Sequence, residues 1–337
     1  MKRLLLLLAV AALAQCKRRV PEPTPPLGLA ASAAAPSRAP SSAVAEPSAR
    51  QPAPTSEDDV LPADAAAGAV RFAVIGDYGA DTPAEAAVAA LVKRWRPEFL
   101  ITLGDNNYPA GEAATIDKNI GQFYAEFIGN YRGRFGPGSA KNRFWPALGN
   151  HDWVVGVDPY LDYFTLPGNE RYYDVDLGLV HLYALDSDVH EPDGISPESK
   201  QAAWLKERLA ASKSCYDVIY FHHPAYSTAD HGPTLAMRWP FRKWGAEVVF
   251  AGHDHTYERF EVDGIPYFVN GLGGSSKYEF PTAPTPETRF RYNEEFGAMR
   301  VIATPAQIAY EFFTIDGKKR DSFTVAANCG RKIGIAY

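Results

Sequence analysis

Short apolar runs of strand length recur along the chain from residue 70 onward, and most of them end in a polar motif. Six such runs predict buried strands, at residues 71–75, 99–103, 144–148, 179–185, 218–221 and 247–251. Residues 82–95 and 201–211 instead have the apolar spacing of helices. Three later runs predict a strand-rich end, at residues 266–269, 299–303 and 308–314. Strands that alternate with helices and are followed by further strands predict an α/β fold with a mixed sheet.

Residues 1–16 predict a signal sequence that is not part of the fold. Lys2 and Arg3 precede an apolar run at residues 4–13, which has signal-peptide length and is too short to span a bilayer. The four residues that end at Cys16 resemble a bacterial lipobox, although Gln15 stands where that pattern prefers a small residue. We expect an exported protein, anchored to a membrane through a lipid at Cys16 in the periplasm or at the cell surface, or otherwise secreted.

Residues 17–67 are rich in Pro, Ala and Ser and contain almost no large apolar side chains. Such a segment cannot bury enough surface to offset the entropy lost on ordering, so it predicts a disordered linker. The apolar periodicity then defines one folded domain at residues 68–325, followed by a tail at residues 326–337.

The composition is that of an ordinary globular protein, with 46% hydrophobic and 22% charged residues, enough for one large domain or two small ones. The formal net charge is −6, and no basic run is longer than the three residues at 17–19. We therefore expect no nucleic-acid partner, because binding to nucleic acid needs a basic surface.

The three cysteines leave the redox state of the chain open. If Cys16 carries a lipid, Cys215 and Cys329 remain as a possible disulfide pair in an oxidising compartment. Cys215 also precedes the apolar run at 218–221, so a buried free thiol is an equally good interpretation. None of the three has the CxxC spacing of a metal site.

Histidines are concentrated in the polar motifs at the strand ends. Six of the eight occur in or near them, at positions 151, 222, 223, 231, 253 and 255. Ligands of open α/β sheets bind beyond the carboxyl ends of strands, so we expect these motifs to form one site. Carboxylates and imidazoles gathered in this way would be costly to desolvate without a cation, which predicts bound metal.

The types of donor atom favour particular metals. No cysteine takes part, which argues against a thiolate zinc site and against an iron–sulfur cluster. Carboxylate, imidazole and phenolate donors suit iron, manganese or zinc, and a phenolate favours Fe(III). Seven donors are too many for one metal with an open water position, so they predict two metals about 3.5–4 Å apart that share a carboxylate.

The polar motifs, taken in order, resemble the five motifs of calcineurin-like metallophosphoesterases. They are Gly76-Asp77-Tyr78-Gly79, Gly104-Asp105-Asn106-Asn107-Tyr108, Gly149-Asn150-His151-Asp152, His222-His223-Pro224 and Gly252-His253-Asp254-His255. The first motif lacks the His of other branches, and Tyr108 stands three residues after Asp105 as in purple acid phosphatases. Residues 222–234 and 201–209 are similar to the small, tartrate-resistant type. The resemblance implies an α/β/β/α sandwich of two mixed sheets flanked by helices.

The resemblance also implies which residues hold which metal. Three residues would bind Fe(III), and these are Asp77, Tyr108 and His255. Three others would bind a divalent Fe, Zn or Mn ion, and these are Asn150, His222 and His253. Asp105 would bridge the two metals.

Two further histidines would act on the substrate. His151 and His231 match residues that contact phosphate and assist the leaving group. His223 stands beside the metal ligand His222 and is interpreted as structural. Trp153 departs from the tartrate-resistant pattern, which has a second His there, and the segment 187–199 is shorter than the loop that covers the site in the animal enzymes.

The activity implied by the resemblance is hydrolysis of phosphate monoesters of the acid phosphatase type, in which a metal-bound hydroxide attacks phosphorus. A phosphodiesterase or nucleotide-directed hydrolase on the same metals is the main alternative, because the motifs define the metals but not the substrate pocket. A non-catalytic surface lipoprotein is the second alternative, although all seven ligands are present. We expect a small phosphoester or a phosphoprotein as substrate, and a monomeric protein.

Overall fold

The computed structural model describes residues 68–327 and Cys329. The predicted signal sequence, the lipid anchor at Cys16 and the linker at residues 17–67 lie outside the described residues, as does most of the predicted tail. Within the described part of the chain, no helix combines the length and the apolar character needed to cross a membrane.

Two β-sheets form the centre of the domain, and the described residues contribute thirteen strands to them. The strands are β1 Val70–Ile75, β2 Phe99–Thr102, β3 Phe144–Pro146, β4 Tyr173–Asp176, β5 Val180–Ala184, β6 Tyr216–Tyr220, β7 Val248–Ala251, β8 Tyr257–Val262, β9 Ile265–Asn270, β10 Thr288–Tyr292, β11 Gly297–Ala303, β12 Gln307–Thr314 and β13 Lys319–Ala326. One sheet has the order β13-β12-β11-β1-β2-β3, and the other has the order β10-β8-β9-β7-β6-β5-β4.

Both sheets are mixed, with parallel strands at their centres. β1, β2 and β3 are parallel in the first sheet, and β9, β7, β6 and β5 are parallel in the second. Antiparallel pairs complete each sheet, among them β1 with β11 and β8 with β9. The parallel strands matter most for function, because their carboxyl ends deliver the polar motifs to one edge.

Helical segments connect and cover the strands. They are α1 Pro83–Arg94, α2 Ala113–Ile116, α3 Gln122–Tyr124, α4 Asn150–Trp153, α5 Asp158–Tyr163, α6 Lys200–Ala211 and α7 Phe241–Trp244, with a π turn at Asp117–Gly121 and 3-10 turns at Ala125–Phe127 and Leu235–Met237. The two long helices begin with side-chain caps, because Thr82 accepts a hydrogen bond from the N–H of Glu85 and Ser199 accepts one from Ala202. The helices predicted at 82–95 and 201–211 are therefore confirmed.

The core has two parts, which lie on opposite faces of the second sheet. In β6, Val218 belongs to the same cluster as Val74 of the first sheet, so it faces the space between the sheets. The next residue, Ile219, clusters instead with Leu205 of α6. Side chains alternate in this way along a strand that is buried on both faces. The α/β/β/α sandwich implied by the sequence is confirmed.

The apolar runs of the sequence predicted nine of the described strands. They did not predict the other four, which are β4, β8, β10 and β13. The missed strands lie at or next to the sheet edges and mix charged with apolar residues, as in Thr288–Tyr292. A strand that is buried on one side has this alternating pattern, whereas a continuous apolar run is typical of a strand that is buried on both faces. Burial on both faces therefore made strands such as β5, β6 and β7 visible in the sequence.

A disulfide joins Cys215, just before β6, to Cys329 beyond β13. The sequence had left a pair and a free thiol as equal alternatives, and the structure forms the pair. β13 itself ends at Ala326, one residue past the predicted domain boundary.

Replacing Cys215 and Cys329 together by Ser is expected to lower the free energy of unfolding by about 2–4 kcal/mol. The disulfide links residues 114 positions apart, so its removal frees a long loop in the unfolded chain. Chemical denaturation of the oxidised protein and the double variant measures the difference. Reduced wild-type protein is the control and should match the variant. Equal stability of the oxidised protein and the variant would contradict this prediction.

Candidate metal centre

The predicted metal ligands come together at one edge of the sandwich. In the first sheet, Asp77 follows β1, Asp105 follows β2 and Asn150 follows β3 after a short connection. In the second sheet, His222 and His253 follow β6 and β7. Each ligand therefore starts from the end of a strand that is fixed by its neighbours in a sheet.

Three of these residues have left-handed backbone conformations, which are uncommon for residues other than Gly. The φ angles are 56° at Asp77, 52° at Asp105 and 70° at His253. Such conformations cost on the order of 1 kcal/mol or more each and persist where the surroundings enforce them. Here the N–H of His253 donates a hydrogen bond to Asp77 Oδ2 at 2.9 Å, which ties two of the three strained positions together.

The glycines that precede the ligands allow the motifs to approach one another closely. A Cβ atom on Gly149 would lie 2.2 Å from the backbone N of Asp105. A Cβ atom on Gly252 would lie 2.5 Å from Asp77 Oδ2. Both distances are too short for any side chain, so Gly at these positions is a requirement of the site rather than of a turn.

One group of donor atoms surrounds the hydroxyl of Tyr108. This oxygen is 2.9 Å from Asp105 Oδ2, 3.1 Å from His255 Nε2 and 3.4 Å from Asp77 Oδ1. His255 Nε2 is itself 3.4 Å from Asp77 Oδ1. The three residues assigned to Fe(III) by the resemblance thus converge with one oxygen of Asp105.

A second group of donor atoms surrounds His222. Its Nε2 atom is 3.0 Å from Asn150 Oδ1 and 3.1 Å from His253 Nδ1. The other carboxylate oxygen of Asp105, Oδ1, is 3.3 Å from the same nitrogen. One oxygen of Asp105 therefore faces each group, which is the arrangement that a bridging carboxylate needs.

The electrostatics of the site fit a bound cation. Burial alone would raise the pKa of Asp105, but His222 and His151 hold that pKa below its usual range. Burial would lower the pKa of His222, yet Asp105 and Asp77 raise it to about 10. The protein therefore stabilises positive charge between these carboxylates, where metal ions would supply it.

The pKa of the Tyr108 phenol also indicates that the site holds a cation. Burial, followed by the charges of Asp105 and Asp77, raises the pKa of its phenol well above the usual value. A phenolate at this position therefore requires a compensating cation close to its oxygen. The donor set and its charge together fit a metal centre.

Hydrogen bonds from outside the two groups orient the imidazoles. His222 Nδ1 donates to the carbonyl oxygen of Leu103 at 2.8 Å, which leaves Nε2 facing the site. His255 Nδ1 is 2.6 Å from Ser276 Oγ, and this contact directs its Nε2 toward Tyr108. Partners of this type fix the tautomer and the direction of a metal-binding imidazole.

The two histidines predicted to act on substrate lie beside different donor groups. His151 packs against Tyr108, with ring centroids 4.4 Å apart, and its Nδ1 donates to the carbonyl of Pro109 at 2.6 Å. Its Nε2 is then directed inward, 3.9 Å from Asp105 Oδ2. His231 stacks on His253 at 4.3 Å. Both roles remain predictions, but the structure brings both side chains to the site.

His223 lies closer to the second group than its interpretation as a structural residue suggested. One donor atom each of His222, His223 and His253 lies within 4.8 Å of the others. The Nδ1 atom of His223 is, however, 2.9 Å from Ser187 Oγ. Burial and the nearby His222 lower the pKa of His223 to about 3. Its structural role therefore stays a prediction that an experiment must test.

Other residues of the motifs connect the loops of the site through hydrogen bonds. Asp152 accepts hydrogen bonds from the N–H of Gly149 at 2.9 Å and from Asn106 Nδ2 at 2.8 Å. Tyr78 donates to Asn106 Oδ1 at 3.0 Å. Asp254 accepts a hydrogen bond from the N–H of His231 at 2.8 Å. These contacts join the loops to one another rather than to substrate.

Sequence analysis missed two residues after β9. Ser276 contacts His255, as described above, and the ring of Tyr278 stacks on His255 at 4.1 Å with an interplanar angle of 5°. Tyr278 also lies 5.2 Å from the ring of His231. The sequence contained part of the information needed to predict these two residues. A Gly-rich polar segment follows the apolar run at 266–269, as polar motifs follow the other apolar runs.

A mixed α/β/β/α sandwich with paired donor groups at the strand ends defines a metal-dependent phosphoesterase. The family profile for calcineurin-like phosphoesterase matches residues 70–257, more than half of the chain. The chain belongs to this family.

Within the family, the chain is similar to mammalian acid phosphatases. It is 25% identical to tartrate-resistant acid phosphatase type 5 of Oryctolagus cuniculus, over 76% of this chain and 90% of that protein. It is 26% identical to the Homo sapiens protein of the same name, over 69% of this chain and 82% of that protein.

Solved structures show the same fold. Purple acid phosphatase PPD1 from yellow lupin seeds matches with a TM-score of 0.62 and 19% identity, covering 77% of this chain and 54% of that one. GAP50, the anchor in the inner membrane complex of Plasmodium, matches with a TM-score of 0.62 and 16% identity, covering 79% and 94%. These two comparisons concern the fold alone.

Comparison of His222→Ala with His223→Ala tests which member of the pair binds metal. His222→Ala is expected to remove most of the metal that the second group binds, because its Nε2 faces Asp105 and Asn150. His223→Ala is expected to weaken metal binding far less, because its Nδ1 atom contacts Ser187 Oγ rather than a donor of the second group. Metal content after dialysis against graded chelator concentrations measures both. Equal losses in the two variants would contradict the choice of His222.

Proposed function

We propose that the chain is a phosphomonoesterase of the acid phosphatase type that uses two metal ions. The observation that carries this proposal is the position of Asp105, whose two carboxylate oxygens face separate groups of donor atoms. Mammalian relatives with acid phosphatase names support the choice of a monoester substrate. The products would be inorganic phosphate and the alcohol of the ester.

The donors support Fe(III) in the group around Tyr108 and a divalent ion in the group around His222. The first group offers a phenol oxygen, carboxylates and one imidazole, which suit a hard trivalent ion. The second offers two imidazoles and an amide oxygen, which suit divalent Fe, Zn or Mn. When bound, such ions would supply charge to hold phosphoryl oxygens and to lower the pKa of water.

The residues of the chain itself provide orientation and proton transfer. His151 packs against Tyr108 and His231 stacks on His253, so each lies beside residues of the donor groups that would hold the phosphoryl group. The Nδ1–H of His151 is held by the carbonyl of Pro109, which leaves Nε2 to contact a phosphate oxygen. We expect His231 to donate a proton to the departing alkoxide as its bond to phosphorus breaks.

The function is tested by comparing a chromogenic phosphate monoester with the corresponding diester at equal metal loading. A phosphomonoesterase is expected to show a much larger kcat/KM on the monoester. A larger kcat/KM on the diester would instead support the phosphodiesterase alternative. Absence of hydrolysis of either substrate by the metal-loaded protein would contradict both.

Tyr108→Phe tests the assignment of Fe(III). A phenolate bound to Fe(III) is expected to give a charge-transfer band in the visible range, so the aerobic wild-type protein should be coloured. The substitution removes the phenol oxygen and keeps the ring that packs against His151. The variant should lose the band and part of its iron and remain folded, as measured by visible and circular dichroism spectra.

Two outcomes would contradict the assignment of Fe(III). One is a variant that keeps its colour, and the other is a colourless wild-type protein containing two zinc or manganese ions. Tyr78→Phe is a matched control, because Tyr78 also lies in a metal motif but donates to Asn106. It should leave the absorption band unchanged.

His231→Asn tests the proton transfer to the leaving group. The ring of His231 contacts His253 without belonging to either donor group, so both metals should stay bound. We expect kcat to fall by about a hundredfold for an alkyl phosphate and much less for a nitrophenyl phosphate, whose leaving group needs no proton. Steady-state rates on the two esters, together with metal analysis, measure this difference. An equal loss on both esters would rule out general-acid catalysis by His231.

A further inference from the structure

Glu258 is a buried carboxylate that the proposed mechanism does not use. It is the second residue of β8, and its side chain is fully buried. Its neighbours Tyr257 and Arg259 both donate to Asp321 of the first sheet, so they face the space between the two sheets. Side chains alternate along a strand, and Glu258 therefore lies on the outer face of the second sheet. A carboxylate buried in this way is costly unless hydrogen bonds compensate it.

The hydrogen bonds that Glu258 accepts come from the segment that leads to His231. The N–H of Thr228 donates to Glu258 Oε1 at 3.0 Å, and the Thr228 hydroxyl donates to Oε2. Ser227 Oγ lies 2.9 Å from Glu258 Oε1 and also contacts Asp254 Oδ2. One carboxylate thus holds two consecutive residues of this segment, and both of them are buried.

Arg291 holds Thr228 from the neighbouring strand. It lies directly opposite Glu258 in the pairing of β10 with β8, so the two side chains share one face of the sheet. Arg291 Nη1 donates to the Thr228 hydroxyl at 3.1 Å and to the carbonyl of Thr282 at 2.8 Å. The hydroxyl of Thr228 therefore accepts from the guanidinium while it donates to the carboxylate, which fixes its position on both sides.

His231 has an exposed side chain, and its backbone is tied to the same network. Its ring stacks on His253 at 4.3 Å and lies 5.2 Å from the ring of Tyr278. Its N–H donates to Asp254 Oδ1 at 2.8 Å, and the other oxygen of Asp254 contacts Ser227. Side-chain carboxylates thus satisfy backbone N–H groups of this segment, where a helix or a strand would use backbone carbonyls. We therefore expect the position of the His231 ring to depend on these carboxylates.

We propose that Glu258 is a positioning residue for His231, and that it acts through Ser227 and Thr228. The hydrogen bonds of Glu258 go to this segment, so its effect on the reaction passes through the position of His231. The inference rests on the proposed function, because it concerns the proton that His231 donates to the departing alkoxide. A displacement of a reacting group by about 1 Å can lower a rate by about a hundredfold, so the hold on this segment matters for catalysis.

Glu258→Gln tests this role with almost no change in side-chain volume. The amide places an NH₂ group against a segment that offers N–H and O–H donors, so part of the hold on the segment is lost. We expect kcat to fall about tenfold for an alkyl phosphate and less than about twofold for a nitrophenyl phosphate, whose leaving group needs no proton. Steady-state rates measure both losses, and metal analysis should show unchanged metal content. An equal loss on the two esters would overturn the proposal.

Thr228→Val is a second variant, which decides the matter if Glu258→Gln does not fold. It keeps the shape of the side chain and removes the hydroxyl that joins Glu258 to Arg291. The same selective loss on the alkyl phosphate is expected, by about threefold, because the N–H of Thr228 still donates to Glu258. Tyr257→Phe is the matched control, since it removes a buried hydrogen bond to Asp321 on the other face of the same strand. It should leave the ratio of the two rates unchanged.

Combination with His231→Asn separates positioning of His231 from a general structural role of Glu258. If Glu258 acts through His231, its substitution matters little once the imidazole is absent. Adding Glu258→Gln to His231→Asn should therefore lower kcat on the alkyl phosphate by less than about twofold, although Glu258→Gln alone costs about tenfold. Losses that multiply in full would overturn the proposal.

Amide hydrogen exchange separates failure of this proposal from failure of the proposed function. If His231→Asn shows the selective loss and Glu258→Gln does not, the proposed function stands and the role of Glu258 fails. If His231→Asn lowers both rates equally, or if no monoester is hydrolysed, the proposed function fails in that part, and exchange at residues 225–231 decides about Glu258. Faster exchange there in Glu258→Gln than in Tyr257→Phe supports the positioning of His231, and equal exchange overturns it.

Discussion

The carboxylate of Asp105 lies between two groups of donor atoms, and the geometry of the whole site follows from its position. One oxygen faces Tyr108, and the other faces His222. Buried carboxylates and imidazoles at such short distances are costly without added positive charge, and the charges of Asp105 and Asp77 raise the pKa of His222. Bound metal would satisfy this requirement, and two cations that share Asp105 are the arrangement that we propose.

The fold can hold this arrangement because every ligand starts from a strand that the sandwich fixes. The left-handed backbone at Asp77 and Asp105 and the close approach at Gly149 would not persist in isolated loops. The buried network of Asp152 and Asn106 connects neighbouring loops and limits their movement. The strain of the site is thus supported by the packing of two sheets.

The same scaffold leaves the surroundings of the metal centre free to vary. Trp153 stands where the tartrate-resistant pattern has His. Its indole donates a hydrogen bond to Asp186, and the predicted metal ligands around it are all present. The scaffold of the family therefore tolerates a different residue beside the candidate ligands.

The sequence by itself determined the buried strands, the two long helices and the family, because an apolar run followed by a Gly-containing motif is a local pattern. It also predicted seven metal ligands, whose side chains the structure brings together. Only the tertiary structure decided which oxygen of Asp105 faces which group, that Cys215 pairs with Cys329, and that Ser276 and Tyr278 support His255. Each of these depends on contacts between segments far apart in the chain, and the missed edge strands are likewise defined by their partners. Local patterns in the sequence indicate which residues are buried. The direction of a side chain depends instead on the segments of the chain that pack against it.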